Sequence, residues 1–373
     1  MDTPPGQNSE SQRHPSIVAV VRTSPHTVLD DYGRLLRLAN YESFLPKERI
    51  THLKVNISWQ KFYPACSTPP WQLEGVIRTL LEDGYQAENL RATHNRTVVV
   101  SAKVGEIANK QKPVADKYGI PSLHLYEKDV RWVRYTPKQP LLTLHTIFPK
   151  GFFIPEPFLG TNVIHLPTMK THVFTTMTGA MKNAFGGLLQ ERRHWTHSVI
   201  HETLVDLLTI QKEIHSGIFA VMDAAVAGDG PGPRCMRPCI ANYLLASADQ
   251  VAIDAIAARM MGFDPLSLDF IRLAHEKGLG CGDPAQVQLV GDDVSQVNLH
   301  FQGRAQTLAS RGQRLIYHGW LKPLERILLR TPLVIWSYVA SRLYHDALWY
   351  PFVGKGRVRD FMQTDWGKLF QSY

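Results

Sequence analysis

Short apolar runs alternate along the chain with stretches in which apolar residues recur every three or four positions. The runs are rich in β-branched residues and predict strands at 16–22, 50–57, 90–93, 122–126, 130–135, 161–166, 217–222, 243–246 and 287–290. The helical spacing predicts helices at 28–38, 71–82, 104–117, 180–185 and 199–214, with Asp249 as the N-cap of another. This alternation favours an α/β fold with a mostly parallel sheet and helices on both faces.

The pattern changes at both ends of the chain. Residues 1–14 are polar and lack the apolar stretch of a signal peptide, so they predict a disordered leader and a cytoplasmic protein. Residues 15–295 carry the α/β pattern, and residues 296–373 predict a helical extension rich in aromatic and basic residues. Two interpretations fit 315–350: a helix packed on the core or on a second copy of the chain, or a segment in peripheral contact with a membrane. Its apolar run, 331–341, is shorter than the roughly 20 residues that span a bilayer.

Composition adds a preference for negatively charged partners. The 373 residues include 41 basic and 33 acidic side chains, which give a net charge of +8. The basic residues are scattered and match no recognition motif, so nucleic acid is not expected as a partner. A small anionic molecule or an anionic membrane surface fits this charge.

The stretch 167–189 has an unusual composition for a structural segment. It lacks acidic residues and contains two lysines, a histidine and an asparagine, at Lys170, Lys182, His172 and Asn183. Lys170 and His172 are two residues apart, so in a strand their side chains project from the same face. Thr178 and Gly179 precede the predicted helix at 180–185, whose N-terminus would offer free backbone N–H groups. This arrangement predicts a phosphate or carboxylate site; the alternative is a solvated loop and an ordinary capped helix.

Other candidate side chains follow predicted strands. Lys54 and Asn56 come at the end of the strand at 50–57, and ligands bind at the carboxyl ends of parallel strands. Asp223 follows the strand at 217–222, and Asp229 lies in a loop rich in glycine and proline. The two aspartates predict an acid/base or metal-binding pair. For Lys54, a strand lysine reaching solvent at a sheet edge is the alternative.

Asp254 lies among apolar neighbours in the predicted helix after Asp249. A buried carboxylate without a partner is costly, so we expect a partner for it, and we assign Lys170 or Lys182. The resulting hypothesis is that Asp254 belongs to the substrate-binding site; a purely structural ion pair is the alternative.

Histidines and cysteines bear on cofactors. His197 and His201 are four residues apart, a spacing that suits a divalent metal if one helix carries both, although no third ligand is apparent. Histidines that bond a substrate, or that are partly exposed on a helix, are the alternatives. The four cysteines, Cys66, Cys235, Cys239 and Cys281, show no C-x-x-C spacing, so the sequence does not support an iron–sulfur cluster. The polar residues 94–96 follow a short predicted strand and predict a loop; a role in the site is the alternative.

Several motifs occur in a specific order. They are KTH at 170–172, TGAMKNAFGG at 178–187, MDAAVAGDGPGP at 222–233 and ASADQVAIDAIAARMMG at 246–262, with LKVNIS at 53–58 before them. Their order resembles that of the domain of unknown function 362 family, and LKVNIS matches the family's early K-x-N motif. The resemblance covers residues 17–294. Members are mostly uncharacterised, and some carry a ferredoxin-like iron–sulfur segment. The resemblance therefore implies a fold and a site rather than a reaction.

Three functional hypotheses follow. In the first, the protein is an enzyme for a small anionic substrate: Lys170 and Lys182 bind the anion and stabilise enolate-like charge, His172 moves a proton, and Asp223 or Asp229 orients His172. In the second, it is an iron–sulfur or metal-associated redox accessory protein, as the resemblance implies. In the third, it is a membrane-peripheral interaction protein. Homo-oligomerisation is compatible with all three.

Overall fold

The computed structural model of the chain describes residues 16–95, 97, 99–189, 191–303, 316–317, 319, 322–324, 331 and 334–373. The predicted leader at 1–14 lies outside the described residues, and so does much of the predicted extension between 304 and 333.

One large sheet forms the centre of the fold. Strands β1 to β12 span Ile17–Arg22, Thr51–Val55, Leu90–His94, Ser122–His124, Trp132–Tyr135, Phe152–Pro155, Asn162–Leu166, Thr168–His172, Thr176–Met177, Gly217–Asp229, Arg237–Ser247 and Gln288–Gly291. Ten of them form a sheet in the order β12-β1-β11-β10-β7-β2-β3-β4, and β8 pairs with β10 and β9. Only β11 and β9 pair antiparallel to their neighbours in this sheet. The predicted mostly parallel sheet is confirmed.

Helices cover both faces of the sheet, as predicted. Helices α1 to α12 span Val28–Leu38, Pro70–Glu82, Ala102–Ala108, Gln111–Lys117, Leu144–Ile147, Ala180–Asn183, Ile200–Ile214, Gln250–Met261, Asp269–Glu276, Ile335–Arg342, Lys355–Met362 and Asp365–Ser372. A π-helical segment, Leu343–Gly354, joins α10 to α11. The face with α6 to α9 buries Leu204, Ile253 and Phe270, and the opposite face, with α1, α2 and α12, buries Leu36, Val76 and Trp366.

Side-chain alternation along the strands explains these two layers. In β1, Val18 and Val20 contact the first core, whereas Ala19 and Val21 contact the second. Such alternation is the period-two geometry of a strand buried on both faces. Asp249 caps α8 as predicted, since its Oδ1 accepts hydrogen bonds from the N–H groups of Val251 and Ala252.

Three differences from the prediction concern β10, the helix at 104–117 and β5. β10 continues to Asp229, because a long antiparallel hairpin with β11 extends it, so Asp223 lies within a strand and not at its end. The helix predicted at 104–117 is two helices, because Lys110 has a left-handed φ of 61°. This break places Pro113, which has no N–H group, in the first turn of α4. β5 pairs only with β6, in a separate antiparallel sheet.

The C-terminal helices pack across the core. The indole Nε1 of Trp59 donates a hydrogen bond to Asp346 Oδ1 at 2.7 Å, and that of Trp366 donates to Asn242 Oδ1 at 2.8 Å. The ring of Trp366 also lies 5.0 Å from that of Trp71 in α2. These contacts confirm a helical C-terminal stretch and show that the core holds it.

Candidate anion-binding site

Three lysines lie at the carboxyl edge of the parallel strands. Lys54 is in β2, Lys170 is in β8, and Lys182 is in α6, the short helix after β9. Pro167 separates β7 from β8, yet both strands pair in parallel with β10, so the chain continues past the end of β7 and carries Lys170 beyond it. Lys54 and Lys170 are each only 2% exposed.

Among the described residues, the hydrogen-bond acceptors of Lys54 are all neutral. Its Nζ donates to Val55 O at 2.7 Å and to Asn95 Oδ1 at 2.9 Å. Burial, followed by the charge of Arg193, lowers the pKa of Lys54 to about 7. Gly187 makes this position possible, because a Cβ atom there would lie 2.8 Å from Lys54 Cε.

Lys170 is held by a small polar network. Its Nζ donates to Ser58 Oγ at 3.0 Å and to the carbonyl oxygen of Cys66. Asn56, the other predicted residue after β2, supports both acceptors: its Nδ2 donates to Cys66 O at 3.1 Å, and its Oδ1 accepts from Ser58 Oγ at 3.1 Å. Burial lowers the pKa of Lys170 to about 8. Asn56 therefore positions Lys170.

Lys182 lies near enough to Lys170 for their charges to interact, and it shares the neighbouring charge of Arg193 with Lys54. Its Nζ lies 5.2 Å from the centre of the Phe185 ring. Burial, and then the charges of Lys170 and Arg193, lower the pKa of Lys182 to about 7. Among the ion pairs of the residues that the structure describes, none joins a carboxylate to Lys54, Lys170 or Lys182. These lysines give the edge of the sheet positive charge that no described acidic side chain neutralises.

His172 lies beside these lysines in a neutral state. Its Nδ1 accepts from the backbone N–H groups of Phe174, at 3.2 Å, and Thr175, at 3.4 Å, so the ring proton is on Nε2. Burial, and then the charge of Lys182, lower the pKa of His172 well below its ordinary value. The Nε2–H group is therefore available as a hydrogen-bond donor.

The expectation that Asp223 or Asp229 orients His172 is wrong. Asp223 Oδ2 instead accepts from Tyr32 Oη at 2.7 Å and from Trp71 Nε1 at 2.8 Å, on the sheet face that α1 and α2 cover. Burial raises the pKa of Asp223 to about 6. Asp229 Oδ2 accepts from Arg237 Nη2 at 3.1 Å, and its Oδ1 accepts from the N–H of Gln302 at 2.7 Å. The two carboxylates are therefore not a pair.

Asp254 also has partners other than the expected lysines. Its two oxygens accept from the backbone N–H groups of Ala180, at 2.6 Å, and Met181, at 3.0 Å. The N-terminus of α6 is thus occupied by a carboxylate of the protein itself, so the prediction that this helix end receives a substrate anion is wrong. Gly179 has a φ of 95°, and a Cβ atom there would lie 2.3 Å from Asp254 Oδ1. Burial raises the pKa of Asp254 to about 8.

Thr178 and Asn183 connect this segment to the sheet. Thr178 Oγ1 is 3.3 Å from the carbonyl oxygens of Thr168 and Lys170, so Thr178 ties α6 to β8 and does not cap the helix. Asn183 Nδ2 donates to Lys54 O at 2.7 Å and lies 3.3 Å from His165 Nδ1. Both residues position the lysine-bearing segments.

His197 and His201 do not lie on one helix. A 3-10 helix, Glu191–Val199, carries His197, and α7 begins at Ile200, so the predicted one-turn spacing is not formed. The His197 ring stacks on Tyr317, with 5.6 Å between centroids, and burial lowers the pKa of His197 to about 4. Among the described residues, no group of three ligand side chains includes either histidine.

The cysteines do not gather into a ligand set within the described part of the chain. Cys66 and Cys235 are buried, while Cys239 and Cys281 are partly exposed. Burial raises the pKa of all four thiols, which disfavours the thiolate that binds metals.

Sequence reasoning missed two features near the lysines, although it weighed a place in the site for residues 94–96 as the alternative to a loop. One is the buried His165, whose Nε2 lies 2.6 Å from Gln211 Oε1. The other is a cluster of His94, Glu106 and His124, in which both histidines end adjacent parallel strands and are paired in register. The strand-terminal positions of these two histidines were the available signal.

Comparison with known proteins identifies the family. The model of the domain of unknown function DUF362 matches residues 52–259, more than half of the chain, and includes all three site lysines. The chain belongs to the DUF362 family. The resemblance seen in the motifs is thereby confirmed, and the family's name assigns no activity.

Two further proteins are similar to this DUF362 member over part of their length. A thylakoid-associated protein of Synechocystis sp. is 27% identical over 120 residues, which cover 31% of this chain and 37% of the relative. A crystal structure of a protein from Thermotoga maritima has a TM-score of 0.34 and 11% identity, covering 72% of this chain and 61% of the other. The matched region thus spans about a third of the Synechocystis protein and less than two thirds of the Thermotoga protein.

Proposed function

We propose that the protein binds a small carboxylate or phosphate at Lys54, Lys170 and Lys182 and is an enzyme acting on it. The observation that carries this proposal is that three lysines, of which Lys54 and Lys170 are buried and Lys182 is half-buried, form no ion pair with a carboxylate among the described residues. Keeping ammonium groups buried is costly unless an anion compensates them. A bound anion supplies that compensation.

The chemistry of this site follows from the lowered pKa values. A lysine whose pKa is 7 to 8 is present in both protonation states near neutral pH. One ammonium can therefore hold the anion and stabilise enolate-like charge, while a neutral amine accepts a proton. Neutral His172 donates a hydrogen bond from its Nε2–H group to the substrate. This role replaces the proton transfer that the sequence hypothesis assigned to His172.

Thermal unfolding in the presence of inorganic phosphate or malonate tests the binding proposal. We expect either probe to raise the unfolding midpoint of the wild-type protein, because a ligand that binds only the folded state stabilises it. Lys170→Met and Lys182→Met should lose this shift. Lys368→Met removes an exposed lysine paired only with Asp365 and should keep it. An unchanged midpoint with both probes, or an equal shift in all variants, would reject the lysine site.

A second candidate function is peripheral association with an anionic membrane surface. Several apolar side chains of α10 and the π-helical segment are exposed, including Ile335, Val339, Leu343 and Phe352, the last at 81%. The exposed Arg342 and Lys355 complement anionic lipid headgroups. The similar Synechocystis protein is thylakoid-associated by name, which agrees with this candidate. No helix in the described ranges has both the length and the apolar character to cross a bilayer.

Cosedimentation with vesicles tests the membrane candidate. The protein should pellet with phosphatidylglycerol vesicles more than with phosphatidylcholine vesicles, and Phe352→Glu should weaken this binding. Leu159→Glu, at an apolar residue of 43% exposure outside this helix, is the matched control. Equal pelleting of the wild type and Phe352→Glu would exclude the helix as the contact surface.

A further inference from the structure

A second cluster of chemically active side chains lies at the same edge of the sheet. His94 ends β3, His124 ends β4, and Glu106 is in α3, which follows β3. The two histidines are register partners in parallel strands, and their rings stack with 5.0 Å between centroids. Because adjacent strands are fixed by the sheet, the two imidazoles are held side by side before any ligand binds.

The three side chains turn their ligand atoms toward one another. His94 Nε2 lies 3.0 Å from Glu106 Oε2, and His124 Nε2 lies 3.2 Å from Glu106 Oε1. One ligand atom from each residue lies within 4.8 Å of the others. His94 and Glu106 are each 3% exposed or less, and His124 is 9% exposed.

The cluster is poorly explained as a hydrogen-bonded network. Among the described residues, His124 Nε2 has no hydrogen-bond partner of acceptable geometry, even though a carboxylate oxygen of Glu106 is 3.2 Å away. Its lone pair or N–H bond therefore does not point at that oxygen. A buried, unpaired ring nitrogen is costly, and a cation between the three side chains would satisfy it.

We propose that His94, Glu106 and His124 bind one divalent transition-metal ion of the zinc class. Two imidazole nitrogens and one carboxylate are a ligand set that Zn²⁺ uses, with a fourth position left for water or substrate. The two oxygens of Glu106 each face one of the imidazoles, so this side chain is placed to supply the third ligand. Ser122 Oγ, 3.4 Å from Glu106 Oε2, is in position to orient it.

This site is distinct from the lysine site but close to it. Lys54 donates to Asn95, the residue after His94. A metal ion here would add a second positive group at the edge of the sheet. The metal proposal does not depend on anion binding, because its ligands include none of the three lysines.

Zinc stoichiometry of the full chain tests the proposal. Protein incubated with Zn²⁺ and freed of excess metal should retain about one ion per chain, and Co²⁺ in its place should give the intense visible absorption of a four-coordinate site. His124→Gln and Glu106→Gln should weaken Zn²⁺ binding by at least about 100-fold. His201→Gln, which removes a histidine outside the cluster, should retain the ion.

Three results would overturn the proposal. The first is a wild-type protein that retains no stoichiometric Zn²⁺. The second is a His124→Gln variant that binds Zn²⁺ as tightly as the wild type, and the third is binding that is lost only in His201→Gln. If the substituted proteins fail to fold, the Co²⁺ spectrum of the wild type decides: an octahedral, weakly absorbing complex would exclude a four-coordinate site at this cluster.

Discussion

At the residue scale, the main feature of this protein is the environment of Lys54, Lys170 and Lys182. Their Nζ atoms contact carbonyl, hydroxyl and amide oxygens, or an aromatic ring, in place of carboxylates. Such contacts satisfy the donors but do not cancel the charge, so burial still favours the neutral amine. The site is therefore prepared for an anion, since binding one favours the ammonium form.

The lowered lysine pKa values predict how stability depends on pH. Lys54 loses its proton near pH 7 in the folded state but near 10.5 when unfolded, so between these values the unfolded state binds more protons. The contribution of Lys54 should therefore make the free energy of unfolding rise with pH between these two values. Urea denaturation at several pH values should give a smaller rise for Lys54→Met than for the wild type. Equal slopes in the two proteins would show that Lys54 is not perturbed by folding.

Gly179 is a second position where one residue controls the site. An added Cβ atom would clash with Asp254 and would require a φ of 95°, so Gly179→Ala should destabilise the protein by about 2–4 kcal/mol. Gly356→Ala is the matched control, because that glycine lies in α11 with open space around its Cβ position. It should be neutral or stabilising by up to about 1 kcal/mol. Equal effects on the denaturation midpoint would contradict this account.

The partner of Asp254 shows what sequence reasoning could reach at this scale. The apolar neighbours of Asp254 correctly indicated a buried carboxylate that needs a partner. Its actual partners are backbone N–H groups of α6, which every sequence contains and no side-chain pattern identifies. Charged side chains are visible in a sequence, so Lys170 and Lys182 were chosen instead.

At the scale of elements, local patterns predicted the alternation of strands and helices but not where long-range pairing changes it. The apolar run at 217–222 marked the start of β10, whereas the remainder of the strand depends on its antiparallel pairing with β11. Asp223 was consequently placed at a strand end. The histidines at 94 and 124 became neighbours only through the parallel pairing of β3 and β4.

The C-terminal helices make a separable contribution to stability. Trp366 is buried between α12 and the core, where it hydrogen bonds Asn242 and packs against Trp71. Trp366→Ala should therefore cost about 3–5 kcal/mol in urea denaturation. Phe352→Ala, at a ring that is 81% exposed, should change stability by no more than about 0.5 kcal/mol. A Trp366 variant as stable as the wild type would show that α12 is not part of the folded core.

At the scale of the whole molecule, the fold explains why the charged groups gather at one edge. Parallel strands β2, β3, β4 and β7 end on the same side of the sheet, and β8 and α6 extend the chain beyond it. Lys54, His94, His124 and Lys170 are thereby brought together from segments that are far apart in sequence. The carboxyl edge of an α/β sheet is the usual place for a ligand site.

Calorimetric titration with sulfate at two pH values tests the central claim most directly. Sulfate keeps its charge of minus two between about pH 6 and about pH 9, so any change in its affinity reports on the protein. Because the lysines lose protons between these values, affinity should fall at least about tenfold at the higher pH. Binding at the lower pH should also be lost in Lys170→Met and Lys182→Met. Sulfate binding that is absent at the lower pH, or that is independent of pH and of both lysines, would contradict an anion site built on buried lysines.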